Sequence, residues 1–347
     1  MNNKSITRTR SQHISRREFL KLSGLGMLGL YLPKKSIHLS LENGQQGRVI
    51  DPSINVYDIP SFSGRQVSVY WQDIILPISG LVIGDDIPEH NRVWYRIGNE
   101  GYAHSGSIQP VETILQDPDP NIRPGGQLAE VTVPYTDAHW GPGKSFDVAY
   151  RFYFQTTHWV IGLVEDEEGI PWYQVLDDKW EDILFAPATH IRIVPDSELT
   201  PISPDIPSYQ KRLEIATSMQ TISAFENEIP VFIARIASGA VFSNGDFSTP
   251  EGRHMTFHKR PSRHMAAGNL AANGYDLPGV PWVTYFTEEG IAIHGTFWHN
   301  DFGRPRSHGC INVAPHVAKW IYRWTLPEVP AHVQRVYKSY GTVLDVL

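Results

Sequence analysis

The chain has 347 residues, 30 of them basic and 37 acidic, for a formal net charge of -7. That length accommodates two or three domains, and ten tryptophans among ordinary apolar content leave ample surface for a core. With no long basic run after the N-terminus and no apolar stretch of ~20 residues, nothing points to nucleic-acid binding or a transmembrane span. The protein is expected to be peripheral to a membrane at most.

The first forty residues read as an address rather than a fold. Arg8, Arg10, Arg16 and Arg17 precede an apolar run from Leu22 to Leu32. A charged region before a short hydrophobic one fits a secretory signal. Ser15-Arg16-Arg17-Glu18-Phe19-Leu20-Lys21 resembles the twin-arginine export motif, in which two arginines lead Phe-Leu-Lys. Gly24, Gly26 and Gly29 weaken the apolar run as a permanent membrane helix. The expectation is a signal segment over 1–40 and an exported protein of the cell envelope, in periplasm or wall. No clear cleavage site is visible.

Two small β-modules are expected next, over 41–112 and 127–196. The first contains Val93-Trp94-Tyr95-Arg96-Ile97, then Gly101-Tyr102-Ala103, then Ile108-Gln109-Pro110-Val111. The second contains Pro171-Trp172-Tyr173-Gln174-Val175, then Phe185-Ala186, then Ile191-Arg192-Ile193-Val194. Each has an aromatic strand, a polar turn and a closing alternating strand, in matching order. They loosely resemble the Src-homology-like barrels of bacterial wall enzymes. Two modules sharing only strand propensity would read similarly. Asp117-Pro118-Asp119-Pro120 through Gly126 separates them, and Pro195, Pro201, Pro204 and Pro207 mark a second boundary.

The segment 208–347 is expected to be mostly β, sandwich-like rather than a parallel sheet. Leu213-Glu214-Ile215 alternates, and Thr221–Phe225 and Ile229–Ile236 form a hairpin about Glu226-Asn227-Glu228. Trp282–Phe286 and Ile291–His294 form another about Glu288-Glu289-Gly290. Val317, Trp320, Ile321 and Trp324 follow helical spacing, so a helix is predicted over Pro315–Trp324 with proline in its first turn.

Cys310 is the single cysteine. It can form neither an intrachain disulfide nor a cysteine-rich zinc site, which leaves an inert thiol or a nucleophile. The run Ser307-His308-Gly309-Cys310-Ile311-Asn312, with His294-Gly295-Thr296 upstream, supplies a thiol, a base and a glycine-flanked turn. Those are the parts of a cysteine acyl-transfer enzyme. Spacing alone does not say whether His294 or His308 is the base.

These two runs together resemble the signature of the L,D-transpeptidase catalytic domain (YkuD-type). Thr249-Pro250-Glu251-Gly252 and the closing Gly341–Val346 stretch are similar to further landmarks of that family. The resemblance covers roughly 208–347. It implies that Cys310 attacks as thiolate, that His294 is the general base, and that the Gly295 carbonyl orients its ring. The N–H groups of Gly309 and Cys310 would form an oxyanion hole with the His308 side chain nearby. Trp298 and Ser307 would border the substrate and Asn312 would brace the turn beside it. The implied partner is a peptidoglycan stem peptide, cross-linked through a thioester by a monomer without a cofactor. Water in place of the acceptor amine would make an L,D-carboxypeptidase. A non-enzymatic wall-binding protein, acting through the β-modules, is a further alternative.

Other histidines are possible metal ligands. His254 and His258 read as one strand, where residues four apart lie about 13 Å from each other, too far for one metal. No catalytic metal is expected. Arg253, His258, Lys259, Arg260, Arg263 and His264 are expected in a solvated loop, or in a basic lid that attracts wall-peptide carboxylates.

Overall fold

The computed structural model describes residues 12–14, 38–269 and 274–347. The twin-arginine run and the rest of the apolar segment lie outside the described residues. Among the described residues, no helix is long and apolar enough to cross a membrane. The chain divides into two compact units, 1–110 and 111–347.

The first unit is one sheet, in the order Gln12–Ile14, His38–Val49, Ile75–Ile83, Val93–Ile97, Gly101–His104, Ser53–Tyr57, Gln66–Trp71, closed by a further short strand. Val93–Ile97 pairs with Gly101–His104, a 3₁₀ turn follows at Ser105–Ser107, and Ile108–Val111 returns to pair with His38–Val49. Ile78 and Leu81 of the strand Ile75–Ile83 are fully buried together with Tyr95 and Ile108.

The second β-module lies in the other unit and repeats that plan. Pro171–Leu176 pairs with Ile183–Pro187, a 3₁₀ turn spans Ala188–His190, and Ile191–Ile193 pairs back onto Gln127–Val131. Both modules thus end strand, strand, 3₁₀ turn, closing strand, which is the matching order anticipated above.

The remainder holds two five-stranded sheets. One runs Ile229–Arg235, Thr221–Glu226, Lys211–Ala216, Val343–Val346, Gly252–Met255. The other runs Ile311–Val313, Ala292–Gly295, Tyr275–Tyr285, His258–Ala267, Val336–Tyr337. Leu213, Ile215 and Ile222 fill the first, and Val280, Val283 and Ile293 the second. The fold is mainly β, as expected.

The helix Pro315–Trp324 occupies the predicted span, with Pro315 in its first turn. Its inner face carries Val317, Ile321 and Trp324, all buried. Its C-terminus leaves carbonyls that need donors. Two buried lysines provide them: Lys259 Nζ donates to the Tyr322, Thr325 and Pro327 carbonyls, and Lys211 Nζ to that of Trp324.

One expectation is corrected here. The basic segment from His258 is neither a solvated loop nor a lid, but an inner strand of the second sheet. His254 and His258 also part company. Thr256, wholly buried, breaks the strand, and the two histidines belong to different sheets.

Candidate active site

Two neighbouring strands bring the chemistry together. Ala292–Gly295 and Ile311–Val313 run parallel, with Ile293 opposite Ile311 and His294 opposite Asn312. Directly opposed residues share a face of a sheet, and so do residues two apart along a strand. His294, Asn312 and Cys310, one residue before the second strand, therefore project to one side. Cys310 is partly exposed and free. Its Sγ lies 4.0 Å from the Gly290 carbonyl oxygen, in the turn that leads into the His294 strand.

His294 is buried, and its Nδ1 lies 3.0 Å from the Gly295 carbonyl oxygen. A carbonyl only accepts, so Nδ1 carries the proton and Nε2 keeps its lone pair. Burial holds the imidazole down to about 4, against a weaker upward pull from the Gly295 carbonyl. Burial also pushes the Cys310 thiol up to about 11, with a backbone hydrogen bond at Ala292 pulling the other way. Both shifts favour the uncharged forms. The resting site is a neutral thiol and a neutral imidazole.

The turn before Cys310 is rigidly held. Gly309 has φ +114°, a region that favours glycine, and Ile291 leaves no slack for a Cβ. Thr249 Oγ1 donates to the Gly309 carbonyl over 2.8 Å. Ser307, buried, donates to the Cys310 carbonyl and receives the Gly309 N–H over 3.2 Å. The Gly309 N–H, expected in an oxyanion hole, is engaged by Ser307 in this resting arrangement. His308 is exposed, its ring stacked on Phe242 at 4.8 Å and edge-on to Phe247 at 4.6 Å.

Asn312 is buried. Its Nδ2 meets His299 Nε2 at 3.0 Å, and its backbone exchanges two hydrogen bonds of 2.9 Å with Ala237. Trp298 is half-buried and sits 5.6 Å from the His294 ring, tilted by 38°. Sequence reasoning missed His299, the internal partner of Asn312, and Thr249, which it noted only as part of a landmark. Neither carries a local signal, since each partner lies at least 13 residues away. Among the described residues no group of His, Cys, Asp or Glu could hold a metal ion.

Residues 210–334 match the family described as the L,D-transpeptidase catalytic domain, YkuD. No curated protein matches the chain. Among solved structures, the chain is similar to a mutant L,D-transpeptidase from Enterococcus faecium, at 20% identity over 40% of this chain and 50% of that one, with a TM-score of 0.31. It is similar to the LD transpeptidase LdtMt1 in complex with imipenem, at 16% identity over 49% and 75%, with a TM-score of 0.32. It is also similar to an L,D-transpeptidase from Mycobacterium smegmatis, at 14% identity over 53% and 98%, with a TM-score of 0.33. The chain spans about half the length of the Enterococcus faecium protein. The family match covers 125 of the 347 residues, less than half of the chain.

Proposed function

We propose that this protein is an exported peptidoglycan L,D-transpeptidase working through a thioester at Cys310. The observation that carries the reading is the placement of Cys310 and His294 on one face of adjacent parallel strands, inside the matched segment. His294 Nε2, kept unprotonated by the Nδ1–H bond to Gly295, takes the thiol proton as sulfur attacks the donor carbonyl. Charge builds on the carbonyl oxygen, next to the Cys310 N–H at the turn. A donor there is worth ~2.7–4 kcal/mol in comparable sites.

Collapse breaks the amide bond before the terminal D-alanine of a stem tetrapeptide. His294 returns its proton to the departing amine, and the acyl group stays on sulfur. An amine of a neighbouring stem then attacks the thioester, passes its proton through His294, and frees the thiol. The product is a cross-link between two third-position residues. Thiol and base complete this cycle without a cofactor. Trp298 borders the base, while Ser307 and Asn312 hold the backbone that presents Cys310.

Export rests on Arg16-Arg17 with Phe19-Leu20. Replacing both arginines by lysine leaves precursor in the cytoplasm on this reading, and unchanged secretion contradicts it. Product analysis by mass spectrometry with purified stem peptides tests the reaction. A cross-linked dimer supports transpeptidation. Tripeptide alone assigns the acyl-enzyme to water and a carboxypeptidase. No conversion by the full chain, with sacculus binding intact, overturns the enzymatic reading.

A further inference from the structure

A pocket of about 210 Å³ opens beside the Cys310 turn, bordered by His258, Arg260, Arg263, Tyr285 and Gly290. Gly290 joins it to the nucleophile, since its carbonyl oxygen is the group 4.0 Å from Sγ. The volume suits a side-chain or terminal group, not a whole peptide.

Its charge is unbalanced. Arg260 and Arg263 converge on a single carboxylate oxygen, Asp178 Oδ2, with Arg263 Nη1 at 2.6 Å. Two guanidiniums against one part-buried carboxylate leave a surplus positive charge. Glu288 also borders the pocket, but it is exposed and its Oε1 accepts from Tyr337 at 2.8 Å. Water screens an exposed carboxylate. His258 registers the net field: burial, then Arg260, Arg335 and Arg263, hold its ring down to about 4, and Glu288 offsets them least. The surplus is built in by the strand. Arg260 and Arg263 lie three apart on one strand, and both side chains reach Asp178.

We propose that this pocket is a specificity site that takes a free carboxylate of the acyl-donor peptide, with Arg263 and Arg260 as its recognition residues. This rests on the transpeptidase reading above and names the feature of the donor that the site selects. Paired guanidiniums suit a carboxylate because their planar donors match its two oxygens. Asp178 already shows these two side chains converging on one.

The test uses the full chain and a set of synthetic tetrapeptide donors, each with one free carboxylate replaced by a primary amide. For the wild type, one of these amidations raises KM about tenfold with kcat little changed. In Arg263→Gln that penalty collapses to within about twofold, while Arg263→Lys keeps part of it. The single-charge change is judged on folded protein, checked by circular dichroism and thermal melting. Equal KM for every amidated donor in the wild type overturns the proposal. So does an amidation penalty that survives intact in both Arg263→Gln and Arg260→Gln. Absence of any acyl adduct in the wild type with either donor or imipenem instead overturns the transpeptidase reading, which keeps the two failures apart.

Discussion

Two groups of ionisable side chains, each with a buried histidine on the same sheet, behave oppositely. At Cys310 and His294, burial meets only backbone partners, and both groups stay neutral. Two strands from His294, His264 is as buried as that histidine but lies between two carboxylates. Its Nδ1 is 2.5 Å from Asp177, and its Nε2 is hydrogen-bonded to Asp276. A carboxylate only accepts, so both ring nitrogens donate and the ring is an imidazolium. Burial pulls its pKa down, yet the hydrogen bonds to Asp177 and Asp276 outweigh it and raise it above the ordinary value. Burial alone removes charge, and burial with an acidic partner keeps it. The first arrangement leaves a base able to take a proton. The second fixes the β-hairpin 258–285 to the preceding module.

The comparison breaks most sharply at the nucleophile. Cys310→Ala is expected to lower turnover by at least ~10³-fold, since no other group offers the covalent route. His294→Ala is expected to slow acylation by ~10²–10⁴-fold with the fold retained, measured as the rate of adduct formation. Acylation that survives His294→Ala but not His308→Ala would move the base to His308.

The pH dependence separates neutral partners from a resting ion pair. With His294 down at about 4 and the Cys310 thiol up at about 11, neither titrates near neutrality in the free enzyme. The second-order acylation rate is therefore expected to be flat from about pH 6 to 9. A steep limb inside that range, lost in His294→Ala, would show that the pair exchanges its proton before substrate arrives.

The His264 cluster has the opposite signature, in stability. Its folded pKa is raised, so its contribution is complete below about 6.5 and fades as pH rises through the higher folded value. Asp177 is lowered: burial raises it, but the His264 and backbone hydrogen bonds prevail. Its contribution is complete above about 3.8 and is lost as pH falls through the lower folded value. Asp177→Asn is expected to cost ~2 kcal/mol near pH 6, less than the ~3–5 of a stranded buried charge because His264 can shed its proton. The cost should shrink by pH 9 in denaturant titrations. A cost that is the same at both pH values contradicts the ionic account. Smallest of all, Trp298→Ala is expected to raise KM a few-fold, since the ring borders His294 without bonding to it.

The residues legible in the sequence are those whose pattern is local. The helix Pro315–Trp324 announces itself by i, i+3, i+4, i+7 spacing, and the hairpin about residues 288–290 by its turn. His294 and Cys310 stood out through their glycine-flanked runs. The basic segment did not declare itself, because its meaning lies in partners far away in sequence. Asp178 is 82 residues before Arg260 and 85 before Arg263, and Asp177 is 87 before His264. Without those acids, a run of lysine, arginine and histidine looks solvated. Lys259 is harder still, since its partners are backbone carbonyls 63 to 68 residues away. Proline-rich spacing near 195–208 suggested independent pieces, yet Thr157 and Ser262 of the two sides exchange hydrogen bonds with the Pro261 and Thr157 carbonyls.

The most direct test of the account is intact-protein mass spectrometry after incubation with a stem tetrapeptide or imipenem, followed by peptide mapping. The account predicts one acyl mass, located on Cys310, absent from Cys310→Ala and indifferent to chelator. Turnover that persists in Cys310→Ala and is abolished by chelator would contradict it.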